Sequence, residues 1–91
     1  MRWGSCQAER PVPTYQLLHR HEPDECRFAY AAWKGFSSPL RHRPALSWCA
    51  KGGHRICWTV EAESPETALS LLPSFLATRC EVDPVSEVPI P

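Results

Sequence analysis

The stretch HRICWTVEA, residues 54–62, decides the fold. Its side chains alternate in character: His54, Ile56, Trp58 and Val60 fall on one side of an extended chain, and Arg55, Cys57, Thr59 and Glu61 on the other. A period of two marks a strand buried on one face. Immediately upstream, Lys51-Gly52-Gly53 reads as a turn, because glycine takes positive φ without steric penalty. Residues 45–50 (ALSWCA) read as the strand that feeds this turn.

Toward the N-terminus, TYQLLHRH at 14–21 is a short apolar run bounded by Pro13 and Pro23, which fits a second buried strand. Glu22-Pro23-Asp24-Glu25 then opens a helix, with proline at the first position and acids in the first turn. Cys26, Ala29, Tyr30 and Trp33 recur at helical spacing, and Gly35 ends the stripe. Residues 37–44 (SSPLRHRP) form a loop held open by two prolines. Toward the C-terminus, Ser64-Pro65-Glu66 starts a second helix whose core face is Ala68, Leu71, Leu72, Phe75 and Leu76, kinked or split at Pro73. Residues 82–90 make a last strand, confined by Pro84 and Pro89 to a sheet edge or a dimer boundary. The order strand–helix–strand–strand–helix–strand predicts an α+β, ferredoxin-like fold: a four-stranded antiparallel sheet in order 4-1-3-2 with both helices on one face. The opposite face, carrying Cys57 and Thr59, is expected to pair with a second copy as a homodimer.

A chain of 91 residues holds one domain, assigned here to residues 13–91. Residues 1–12 read as a disordered arm, with Val12 as a candidate initiator from a GUG codon. A core this small is marginal without a metal, a disulfide or a partner. Ten basic residues balance ten acidic ones, so no electrostatic footprint for nucleic acid or an anionic membrane appears. No apolar run approaches the roughly 18 residues of a membrane span. Five cysteines without a CxxC pair, and no signal-peptide pattern, point to reduced thiols in the cytoplasm.

The predicted topology brings His19, His21, Cys26, Cys49 and His54 to one end of the sheet. Imidazole and thiolate together suit Zn²⁺, Ni²⁺ or Cu ions. The order HxH, C, C, H is not a standard structural-zinc spacing. The plainer reading makes the histidines polar strand ends and the cysteines small core hydrophobes. Acid–base chemistry by His19, His21 or His54 is a further use, with Glu22, Asp24 or Glu25 orienting an imidazole. Tyr30, Trp33 and Trp58 outline a pocket for a flat small ligand, against the simpler alternative of core packing, and Arg41-His42-Arg43 could reach over it. Ser37 and Ser38 lack a GxSxG context, and Gly52-Gly53 does not precede a helix, so neither a serine hydrolase nor a phosphate loop is indicated.

The segments YQLLHRHEPDEC, AAWKGFSSPLRHRPALSWCAKGGHRICWTVEAESPETALSLLP and VSEVPIP resemble a group of small uncharacterised bacterial proteins. In outline the chain is also similar to the dimeric α+β barrel superfamily, which includes muconolactone isomerases, cofactor-free monooxygenases, haem-degrading enzymes and a nickel-responsive protein. That resemblance implies the fold and dimerisation. It implies no active-site residue, since no catalytic motif of those enzymes matches. Three functions follow as expectations: a small binding protein for a transition metal; a cofactor-free isomerase or monooxygenase-like enzyme with a histidine base; or a structural dimer module without catalysis.

Overall fold

Residues 12–91 are described by a computed structural model. Four antiparallel strands form one sheet: β1 (Thr14–Arg20), β2 (Leu46–Ser47), β3 (Arg55–Glu61) and β4 (Cys80–Val85), in the order β2-β3-β1-β4. Read from β4, this is the neighbour order 4-1-3-2. The central ladder sets Leu17 opposite Trp58 and His19 opposite Ile56, and β4 flanks β1 with Val82 opposite Leu17 and Cys80 opposite His19. Alternate residues turn inward, so Tyr15, Leu17 and His19 of β1 and Ile56, Trp58 and Val60 of β3 are buried on one face. Three short helices cover that face: α1 (Cys26–Ala31), α2 (Pro65–Leu69) and α3 (Ser74–Ala77). They bury Ala29, Ala68 and Leu76 against it, and Leu72 joins them from the α2–α3 link.

The class is α+β, but the helical layer is thinner than a ferredoxin-like arrangement predicts. Residues 23–25 form a 3₁₀ turn ahead of α1, closed by the Glu22 N–H donating to Glu25 Oε1 at 2.9 Å. Within α1 only Ala29 is buried, and Tyr30 stands 50% exposed, off the expected stripe. Pro73 splits the second helix in two, since its ring cannot donate the next helical hydrogen bond. Ser64 caps α2 by accepting from the Thr67 N–H at 3.1 Å.

Two strands also differ from expectation. β2 is only two residues long, and the chain turns after Trp48 into a 3₁₀ turn at Cys49–Lys51, so Cys49 sits on a turn rather than a strand. β4 begins at Cys80 and leaves the ladder after Val85, with Pro84 tolerated at the outer edge. On the outer face Cys57 is buried and accepts from Gln16 Nε2 at 3.0 Å, while Gln16, Thr59 and Asp83 are exposed. That face is mixed in polarity. Of the arm expected over residues 1–12, all but Val12 lies outside the described residues. No described helix is long and apolar enough to cross a membrane.

Candidate metal centre

β1 is extended, so His19 and His21, two apart, point the same way. The ladder continues one step past the strand, where the His21 N–H donates to the His54 carbonyl at 3.2 Å. This bond lays the His21 and His54 rings edge to face with centroids 5.6 Å apart. Cys26 follows His21 after the proline-led 3₁₀ turn, and Cys49 precedes His54 across a second 3₁₀ turn. One donor atom each from His21, Cys26, Cys49 and His54 lies within 4.8 Å of every other. This group could hold a metal ion. His21 is buried, and the other three are half-buried.

His19 stands one step back from the group. Its Nδ1 is 3.2 Å from the Leu76 carbonyl, and its Nε2 is 3.0 Å from His21 Nδ1. A carbonyl only accepts, so His19 Nδ1 carries the proton. In the neutral ring Nε2 is then the acceptor, which makes His21 Nδ1 the donor. The lone pair of His21 is left on Nε2, which faces Cys49 Sγ at 3.5 Å. One backbone carbonyl thus fixes two tautomers and aims the His21 lone pair into the cluster. Burial holds both His19 and His21 below the ordinary 6.5, His21 with help from nearby His54, so both rings are neutral at pH 7. His19, expected among the metal donors, lies outside this group of four and is the hydrogen-bond partner of His21.

The thiols are unequal. Burial opposes ionisation of Cys49, but hydrogen bonds from Ser47, Tyr30 and Cys26 carry it below its ordinary 9.0. Cys26 moves the other way, raised by burial and by the Cys49 sulfur beside it. Cys49 is thus the first to become a thiolate, and a thiolate facing an imidazole lone pair is repulsive unless a proton or a cation lies between them. Zn–S and Zn–N bonds of about 2.3 and 2.05 Å at the tetrahedral angle place sulfur and nitrogen about 3.6 Å apart. The observed 3.5 Å between His21 and Cys49 matches that edge. His54 adds a second sign: its Nδ1 is buried without a hydrogen-bond partner. Its backbone is left-handed at φ 52°, a strained conformation for a residue with a side chain.

The sequence carries a further signal of this group in its spacing. His21 and Cys26 form an H-x₄-C unit, and Cys49 and His54 form C-x₄-H. The two clips have equal spacing and reversed order, and each bends through a 3₁₀ turn.

Tyr30, Trp33 and Trp58 do line a common cleft, of about 390 Å³, on the side of α1 facing the loop at 37–44. The histidine lining it is His42, so His19, His21 and His54 stand apart from it as acid–base groups. Neither any protein-family model, nor any curated protein, nor any solved structure matches the chain.

Proposed function

We propose that this protein binds one zinc ion through His21, Cys26, Cys49 and His54, as a small α+β module whose fold the ion holds together. The observation that carries this reading is the convergence of two imidazoles and two thiols within 4.8 Å, one nitrogen buried and unpartnered and another with its lone pair aimed inward. Mixed N₂S₂ donors select zinc over hard cations, and copper or nickel are its competitors. Four protein ligands complete a tetrahedron and leave no position for substrate, which favours a structural or carrier role over metal catalysis. A chain this short also gains from such a clamp. Thiolate ligands need reduced cysteines, which agrees with the reducing, cytoplasmic setting expected from the sequence. We read the scaffold as a reduced ferredoxin-like fold of the dimeric α+β barrel kind. Pairing as a homodimer belongs to this reading, with exposed Leu46 on the β2 edge as an apolar residue a second copy could cover, and sedimentation checks it.

Elemental analysis of protein purified without a histidine tag tests the metal. About one zinc per chain is expected, and none in a Cys26→Ser/Cys49→Ser variant. Metal-free protein whose stability and spectrum do not respond to Zn²⁺, Ni²⁺ or Cu²⁺ would overturn the reading.

A further inference from the structure

The cleft beside α1 has a chemistry of its own. Trp33 and Trp58 line it, with ring centroids 6.0 Å apart and planes inclined by 52°, and Tyr30 lines it with them. Lys34, Arg41 and Arg43 border it, and no carboxylate does among the described residues. The chain as a whole is charge-balanced, so this is a local excess of positive charge over an aromatic surface. The arginine-bearing wall is fixed in place. Ser38 Oγ donates to the Leu71 carbonyl at 2.7 Å and accepts from the Leu40 N–H at 3.1 Å. His42 then reverses the chain in the left-handed region at φ 68°, so that Arg41, His42 and Arg43 all border the cleft.

We infer that this cleft binds a flat aromatic acid of about the size of an indole carboxylate. A volume of 390 Å³ lies within the ordinary range for small-molecule sites, roughly 300–1,000 Å³. The aromatic rings of Tyr30, Trp33 and Trp58 in its lining offer apolar and aromatic contact to a planar ring. Guanidinium groups present paired N–H donors that match a carboxylate and are not neutralised on desolvation. None of the lining residues is among the four proposed donors, so the inference does not rest on the zinc reading, though Tyr30 and Ser47 also hydrogen-bond Cys49.

Calorimetric titration of the full chain with indole-3-acetate, uncharged indole and cationic tryptamine tests it. The acid should bind with a dissociation constant on the order of 10–100 µM, and tryptamine at least about tenfold more weakly. The Arg41→Gln/Arg43→Gln variant should lose that discrimination while keeping its affinity for indole. Trp33→Leu should weaken all three, provided its circular dichroism is unchanged. Because Trp33 packs on Trp58, the arginine variant is the deciding one if Trp33→Leu misfolds. No saturable binding of the acid up to about 5 mM, equal binding of acid and amine, or an arginine variant that still discriminates would each overturn the inference.

Discussion

The clip at residues 21–26 and the clip at residues 49–54 present the same donors at the same spacing, yet they are built from opposite materials. The first runs off a central strand, is stiffened by Pro23, closes with the Glu22–Glu25 hydrogen bond, and has its histidine buried and held by His19. The second hangs from a two-residue edge strand, passes through Gly52 at φ 87°, and ends in a left-handed His54 whose Nδ1 has no partner. The first is organised by the protein alone, whereas the second holds a strained conformation whose compensation is best supplied by a ligand. With preorganisation on one side and strain on the other, binding of the proposed ion would mainly order the second clip.

The sharpest test removes one donor from each side. His21→Ala and Cys49→Ala should each lower zinc affinity by about a thousandfold or more, read by competition with a chromophoric chelator; loss in only one would mean that the clips do not share an ion. Stripping the metal comes next. At zinc concentrations a thousandfold above the dissociation constant the ion contributes about 4 kcal/mol, so chelation should lower Tm by about 15–30 °C. Hydrogen exchange should rise more in 49–54 than in 21–26. His19→Ala, which leaves all four donors in place, should weaken zinc about 10- to 100-fold by freeing the His21 tautomer. Gly53→Ala strikes the second clip through packing: its Cβ would meet Trp48 Cβ at 2.6 Å, and a loss of about 1–3 kcal/mol in urea denaturation is expected.

The smallest effect is that of pH on the metal-free protein. His19 and His21 are held below 6.5 when folded, so beneath that pH the unfolded chain takes up more protons. The contribution of these two histidines should therefore be flat above 6.5 and be lost as pH drops through the lower folded values. Thermal melts in chelator at pH 7.5 and 5.5 measure it.

Much of this was legible from residue patterns. Ile56, Trp58 and Val60 are buried where the alternation of 54–62 places them, and the gathering of His21, Cys26, Cys49 and His54 follows from strand neighbours. What was not legible depends on partners distant in sequence. Nothing near His19 announces that the Leu76 carbonyl will occupy its Nδ1 and turn its Nε2 toward His21. Cys49 looks like the end of a strand because ALSWCA is apolar, but only Leu46 and Ser47 find a ladder. Cys57 is buried on the outer face of mixed polarity and accepts from Gln16 of the neighbouring strand, a contact that no periodicity reports.

The two cysteine donors also bracket a long piece of chain. Every residue of the aromatic cleft from Tyr30 to Ser47 lies between Cys26 and Cys49, and only Ile56 and Trp58 come from outside. An ion joining the two sulfurs would close that segment into a ring, which in chain-entropy terms resembles a disulfide around a loop of this length, worth about 3 kcal/mol. Unlike a disulfide, it would open to a chelator rather than to a reductant, so the wall of the cleft would be tied by a knot that a reducing compartment leaves intact.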